Sequence, residues 1–295
     1  MMDIRDNSVC SLTECIEGLD AVGLDPRDPE TLGQAALWLR RLGNNRSFLG
    51  DMLLAELRDG CGSGQPDSAY SPQSLLLSDY RQGYFLRANI WPGETDQTYR
   101  ASGAGAFAYG VSHDHNFDFL TIGYHGPGYE SEYWEYDYGK VAGLPGEQAG
   151  LRYCGRHTLS PGTILHYRAH RDVHSQLPPK SLSVSLNVMA TNPAQGWFDQ
   201  YGFDPGSDTV TGVLSPNSTE TFLRLAVACG SEDALELAVH FGRTHPSDRL
   251  RLAAFEARAE QARDKAHRDA IWREAEASGS RLVAATATRN RGAMA

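Results

Sequence analysis

Cysteine is scarce in this sequence of 295 residues, and the few cysteines are not arranged in pairs. They form no CxxC motif and are odd in number, the five positions being Cys10, Cys15, Cys61, Cys154 and Cys229. This scatter argues against a disulfide framework and against a zinc site built from cysteine. We expect reduced thiols that are mostly buried.

Long hydrophobic runs and an excess of positive charge are also absent. No apolar run approaches the roughly 20 residues that span a bilayer, and the N-terminus has no basic stretch followed by an apolar core. We therefore expect a cytoplasmic protein with no membrane partner. The formal net charge of −10 disfavours nucleic acid as a partner, because an acidic surface repels phosphate groups.

Residues 1–73 are predicted to form a helical N-terminal lead-in. Asp28 is a favoured N-cap residue and Pro29 suits the first helical turn, while apolar residues recur at helical spacing up to the glycine at position 43. A second amphipathic stretch runs from about residue 48 to residue 57. The Gly-, Ser- and Pro-rich segment 60–72 is predicted to be a loop.

Residues 74–192 have the pattern of an antiparallel β-structure. Short aromatic and β-branched runs are separated by glycine and proline, and several alternate with a period of two. The clearest runs are 84–91, 117–126, 129–139, 162–170 and 181–189. Because no helical pattern interrupts them, we expect a barrel or jelly roll.

Residues 193–295 are predicted to be a linker followed by a helical extension. After Pro216 the apolar residues recur at helical spacing, which indicates two or three helices. These helices are a candidate homodimer interface, lid or docking site. The last fifteen residues, which end in TATRNRGAMA, are predicted to be loose.

Two clusters of histidines stand out in the β-rich part. His113 and His115 are separated by one residue, so they project from the same face of a strand. A third histidine on an opposing strand would complete a facial ligand set that leaves positions open for substrate and O₂. The alternative is that both are polar core or surface residues.

The third ligand has three candidates in the second cluster, which follows the Pro161–Gly162 turn. His166, His170 and His174 share the same parity, so periodicity alone does not decide among them. The residues alone therefore leave all three candidates open.

These motifs resemble those of the cupin superfamily, in which an HxH motif precedes a Pro-Gly turn and a distal histidine. The usual glutamate of the first motif corresponds here to Phe119 or Leu120, which points to a three-histidine site. Within cupins, the sequence is most similar to the cysteine-dioxygenase-like thiol dioxygenases over residues 75–190. That resemblance implies an α+β, mainly β fold, an antiparallel cupin jelly-roll barrel with N-terminal helices. The C-terminal helical extension, which the helical pattern after Pro216 predicts, lies outside that family's usual pattern.

The same resemblance implies iron(II) at His113, His115 and His174, since the distal cupin ligand lies well beyond the Pro-Gly turn on the next strand; His170 is the next choice. It also implies a substrate carboxylate held by Arg87 on an earlier strand. The sequence departs from the family at its Ser-His-Tyr relay, where Ser185, Asn187 and Met189 stand instead. Thiol oxidation itself does not carry over.

The leading hypothesis is a mononuclear non-heme iron oxygenase, of dioxygenase type, that acts on O₂ and a small carboxylate-bearing molecule such as an amino acid or derivative. Arg87 would hold the carboxylate, and Ser185, Asn187 and a tyrosine, Tyr124, would line the pocket. One alternative is a non-redox lyase or isomerase that uses zinc, nickel or manganese as a Lewis acid. Another is a metal-dependent sensor or binding protein.

Overall fold

The computed structural model describes residues 1–59, 73–230 and 232–293. The loop predicted at 60–72 therefore lies outside the described residues. The chain forms two compact units. The first comprises Met1–Tyr138, Gly150–Pro193 and Gly202–Asp208. The second comprises Gly139–Ala149, Ala194–Tyr201 and Thr209–Ala295.

The first unit begins with three helices, which confirms the predicted helical lead-in. They are α1 (Leu12–Val22), α2 (Pro29–Asn44) and α3 (Phe48–Asp59). Helix α1 begins with a capping box, in which the Glu14 backbone N–H donates to the Ser11 side chain and the Ser11 backbone N–H donates to the Glu14 side chain. Helix α2 begins at the predicted proline, after Asp28, whose side chain accepts from the Glu30 N–H. The starts of α1 and α2 are thus fixed by local side-chain caps.

The β-strands of the first unit are arranged in two antiparallel sheets. One sheet has the order β1-β2-β9-β4-β7, and the other runs β10-β3-β8-β5-β6 within this unit. A short helix, α4 (Gln97–Ser102), lies between β2 and β3. The strands are β1 (Ser74–Leu76), β2 (Tyr84–Trp91), β3 (Ser112–His113), β4 (Phe119–His125), β5 (Glu130–Glu135), β6 (Arg152–Thr158), β7 (Ile164–Tyr167), β8 (Asp172–Leu177), β9 (Ser183–Ala190) and β10 (Tyr201–Asp204).

The first sheet is covered on both faces. Alternate residues such as Leu86 and Ile122 point outward and join the cluster formed with α1 and α2. The residues between them, such as Phe85 and Phe119, point inward and join a second cluster that includes residues of the other sheet. The two sheets therefore enclose one aromatic interior, as in a cupin-like sandwich, and the predicted fold class is confirmed.

Gly123 on β4 allows a close approach of the loop that precedes β7. A Cβ atom at this position would lie 2.2 Å from the carbonyl oxygen of Ser160 and 2.6 Å from that of Leu159. We expect Gly123→Ala to lower the free energy of unfolding by about 1–3 kcal/mol, because backbone atoms must shift. Chemical denaturation would measure this. Gly33→Ala is the control, since its Cβ would meet nothing within 4 Å, and equal midpoints for the two variants would contradict the prediction.

The second unit contains the strand β11 (Thr209–Val213) and a run of helices. The helices are α5 (Ser218–Ala228), α6 (Glu232–Thr244), α7 (Asp248–Glu260), α8 (Lys265–Glu276) and α9 (Arg281–Gly292). These helices of the described residues correct the expectation of two or three. Helix α9 also corrects the expectation that the last fifteen residues are loose, as far as residue 292: Ser280 caps α9, and Leu282, Val283 and Thr286 are buried in it, so packing holds residues 281–292.

Two predictions concern the organisation of the whole chain and stay predictions. One is the division into parts at residues 73 and 192, and the other is a homodimer through the C-terminal helices. Within the described ranges, no helix combines the length and the apolar character that a membrane crossing requires.

Candidate metal centre

The structure brings His113, His115 and His174 together inside the first unit. His113 on β3 lies directly opposite His174 on β8 in the antiparallel register. One nitrogen from each ring can be chosen so that all three lie within 4.8 Å of one another. The Nε2 atoms of His115 and His174 are 2.9 Å apart. All three side chains are buried, so the three imidazoles lie close together and away from solvent.

The orientation of His113 is fixed by the backbone of its own strand. Its Nδ1 atom lies 2.9 Å from the carbonyl oxygen of Val111. Because a carbonyl oxygen only accepts, Nδ1 carries the proton and Nε2 presents a lone pair. This is the outer hydrogen bond that a metal-binding imidazole requires, and sequence reasoning could not identify its acceptor.

His115 and His174 are held by aromatic packing instead. In the described part of the chain, neither Nδ1 atom has a hydrogen-bond partner. The His115 ring meets Phe119 edge to face at 4.9 Å, and the His174 ring lies 4.5 Å from that of Tyr167. These contacts restrict the ring positions without a polar acceptor.

Burial keeps the cluster uncharged. It lowers the pKa of His113 from its ordinary value of 6.5. Burial also lowers the pKa values of His115 and His174 well below that value, and the neighbouring imidazoles add to the effect. Neutral imidazoles are the form that binds metal ions.

The cluster fits a divalent metal ion by its chemistry and by its spacing. Two metal–nitrogen bonds of about 2.1 Å at a right angle place the nitrogens about 3.0 Å apart, close to the 2.9 Å between His115 and His174. Imidazole suits zinc, copper, iron and nickel alike. The donor set therefore indicates a divalent ion without specifying which one.

The other two candidates for the third ligand lie elsewhere. The Nε2 atom of His166 is 3.1 Å from a carboxylate oxygen of Asp118. His170 has a left-handed backbone, with φ of 58°, and its ring lies 4.3 Å from that of Tyr138. The structure thus groups His174, and neither of these, with the His113–His115 pair.

Arg87 and two of the predicted pocket residues lie on the inner face of the first sheet. Arg87 and Asn187 are directly opposite each other on β2 and β9, and the Asn187 amide donates to the Arg87 carbonyl at 3.4 Å. The charge of Arg87 contributes to the lowered pKa of His115. Ser185 accepts a hydrogen bond of 3.0 Å from the Trp91 indole. These residues share the interior that holds the histidines.

Tyr124 is not brought to the histidines, which corrects its predicted place in the pocket. Its side chain points to the outer face of β4, where its hydroxyl donates to the Asn45 carbonyl at 2.8 Å. Its ring meets Phe48 of α3 at 5.5 Å. Adjacent strand residues face opposite sides, and Tyr124 shares its parity with Ile122 on the helix-covered side.

Other tyrosines lie beside the cluster. Tyr133 is opposite His174 on β5, and its hydroxyl lies 2.8 Å from that of Tyr167. Burial raises the pKa values of Tyr133, Tyr129 and Tyr167, so the three phenols stay protonated. Tyr129 and Tyr133 belong to the aromatic run at 129–139, whereas Tyr167 lies on β7, so no single pattern in the sequence identifies all three.

Comparison with known proteins gives weak likenesses in structure alone. No family model matches the chain, and no curated protein matches it. A hydroquinone 1,2-dioxygenase in complex with Cd²⁺ and 4-hydroxybenzonitrile is 13% identical over 43% of this chain and 69% of its own, with a TM-score of 0.29. A DMSP lyase structure is 12% identical over 43% of this chain, with a TM-score of 0.26, and is covered over 50% of its length.

A cupin domain from Bordetella pertussis is 9% identical over 42% of this chain and 99% of its own, with a TM-score of 0.24. Scores this low support no inference about activity or substrate. The chain's own residues form a sandwich of two antiparallel sheets that encloses a buried three-histidine candidate site for a divalent metal ion.

Proposed function

We propose that this protein is a mononuclear non-heme iron oxygenase, of dioxygenase type, that acts on a small carboxylate-bearing substrate such as an amino acid or a derivative. The observation that carries the proposal is the buried cluster of His113, His115 and His174. The three neutral imidazoles would hold iron(II), which would supply the activation of O₂ when bound.

The residues of the chain would bind and orient the substrate. Arg87 is a planar cation on the inner face of the first sheet, and a guanidinium suits two parallel hydrogen bonds to a carboxylate. Asn187 holds the Arg87 strand in register by its bond to the Arg87 carbonyl. The distance between the carboxylate and the reacting atoms would thus be set by two adjacent strands, which are rigid supports.

The interior would also exclude water. Phe119 and Tyr167 stack at 4.5 Å beside His115, and the protonated phenols of Tyr133 and Tyr167 share a hydrogen bond. Aromatic walls remove competing water from the site, and phenol groups can hold a proton close to the substrate. The pairing of Ser185 with Trp91 makes that serine part of the wall.

Oxygen consumption by metal-loaded protein tests the proposal. Iron-loaded protein should consume O₂ when a substrate is added from a panel of amino acids and their N-acyl derivatives. The same protein loaded with zinc should not. Turnover by the zinc-loaded protein without O₂ uptake would favour the lyase or isomerase hypothesis. Saturable binding without turnover would favour a sensor.

Arg87→Gln is expected to weaken the binding of a carboxylate by about 10–100-fold, because a hydrogen-bonded charge pair is lost. The probe is 4-oxopentanoate, compared with the uncharged pentan-2-one by calorimetry on zinc-loaded protein. Arg100→Gln, at an exposed position of α4, is the control and should bind both probes as the wild type does. A loss of both probes to the same extent in Arg87→Gln would instead indicate a structural role for Arg87.

A further inference from the structure

Gln176 is a buried polar residue on the same strand as the third histidine of the cluster. It follows His174 by two positions on β8, so both side chains project from the same face. Its neighbour across the sheet is Ser131, just as the neighbour of His174 is Tyr133. Gln176 therefore extends the histidine site along the inner face of the second sheet.

The side-chain oxygen of Gln176 has an unmet hydrogen bond. The residue is 5% exposed, and within the described residues its Oε1 atom has no hydrogen-bond partner. A buried acceptor without a partner destabilises a protein, and buried polar groups are nearly always paired. An apolar side chain of similar size would fill the same space without this cost, so the oxygen indicates a missing donor.

The surroundings of Gln176 select the kind of donor. Ser131 is fully buried and uncharged, and within the described residues its hydroxyl oxygen, like Oε1 of Gln176, has no hydrogen-bond partner. The backbone of Tyr109 forms a bridge with Gln176 on its other side. Two carboxylates lie on this face, Glu135 of β5 and Asp172 of β8, on the opposite side of His174 from Gln176. Both pair with Arg168. Nothing in this set would neutralise a cation next to Gln176, so an uncharged donor is favoured.

We infer that Gln176 is a specificity residue that accepts a hydrogen bond from an uncharged N–H or O–H group of the substrate. Together with Arg87, it would select a carboxylate that carries such a donor, for example an N-acylated amino acid, over a free amino acid. The choice of a carboxylate rests on the proposed function, whereas the choice of an uncharged donor rests on Gln176 and its neighbours.

Two probes that differ in one group test the inference on zinc-loaded protein. N-acetylglycine carries a carboxylate and an amide N–H, and 4-oxopentanoate has CH₂ in place of that N–H. Calorimetry should show wild-type protein binding N-acetylglycine at least about tenfold more tightly. Gln176→Leu should reduce this ratio to about one and leave the affinity for 4-oxopentanoate within a few-fold of the wild-type value.

Two further variants separate specificity from structure. Gln97→Leu, at an exposed position of α4, should keep the wild-type ratio. Gln176→Glu places an anionic acceptor at the same point, and we expect it to gain relative affinity for 4-aminobutanoate, whose donor is cationic. A merely structural role for Gln176 would change the affinities for all probes together and would leave their ratios unchanged, which would overturn the inference.

An uncharged pair keeps the result separate from the carboxylate proposal. N-methylacetamide and butan-2-one also differ only by N–H and CH₂, and NMR titration can follow their weak binding. If Arg87→Gln and wild-type protein bind the carboxylates equally, the proposed carboxylate site is wrong, yet a preference for N-methylacetamide that Gln176→Leu abolishes still supports Gln176. If wild-type protein prefers neither amide over its ketone, the inference about Gln176 is wrong.

Discussion

Protein purified without oxygen is expected to contain about one iron per chain, and His113→Ala and His174→Ala are expected to contain none. Each variant removes one of the imidazoles whose nitrogens lie within 4.8 Å of one another. Loss of a hydrogen bond to a metal-binding residue typically weakens metal binding by about 10–100-fold. Loss of the binding nitrogen itself should therefore exceed the upper end of that range.

Elemental analysis after dialysis measures this effect directly. His166→Ala is the matched control, because His166 lies on β7 and pairs with Asp118 outside the cluster; this variant should keep its metal. Iron that survives in His174→Ala but is lost in His170→Ala would show that the third ligand has been misidentified. Stoichiometric zinc or nickel in the wild type would weigh against an oxygenase, and no metal after reconstitution would rule out the metal site.

The sequence predicted the strands well where one run of residues makes one strand. The pattern at 84–91 corresponds to β2, Tyr84–Trp91, since its aromatic and β-branched residues are bounded by turn residues. The pattern at 162–170 overran its strand, because β7 ends at Tyr167 and β8 begins at Asp172. The intervening turn contains His170 in a left-handed conformation, which periodicity alone does not reveal.

That turn also explains why the third histidine could not be decided from parity. Side chains alternate between the two faces of the sheet along one strand, but a turn between two strands interrupts this alternation. His166 on β7 and His174 on β8 share the same sequence parity, yet His166 pairs with Asp118 away from the cluster while His174 joins it. What distinguishes His174 from His166 is its pairing with His113 on the neighbouring strand. These two residues are far apart in the sequence, so local periodicity does not reveal their contact.

The error over Tyr124 has a different physical origin. When one face of a sheet contacts water, each strand alternates between polar and apolar residues, and the apolar residues identify the face that points to the core. Here β4 is buried on both faces, with Phe119 inside and Leu120 under the helices. An aromatic residue is therefore favoured on either face, and the density of tyrosines could not show which of them line the site.

The stability of the metal-free protein is expected to fall steeply as the pH drops below about 6.5. Burial lowers the pKa values of His113, His115 and His174 below 6.5, their ordinary value. Between the unfolded and folded pKa values, the unfolded chain binds more protons than the folded one, so acid favours unfolding. Each histidine contributes a slope of about 1.4 kcal/mol per pH unit in that window, and the three together about 4.

Urea denaturation at a series of pH values in the presence of a chelator measures this slope. His174→Asn removes one buried titrating group and should reduce the slope by about 1.4 kcal/mol per pH unit. Above pH 6.5 the contribution of these histidines is constant, because folded and unfolded chains then carry them uncharged. If wild type and His174→Asn have the same slope, His174 is protonated as readily in the folded protein as in the unfolded chain. Water then reaches the interior at the site from which an oxygenase would need to exclude it.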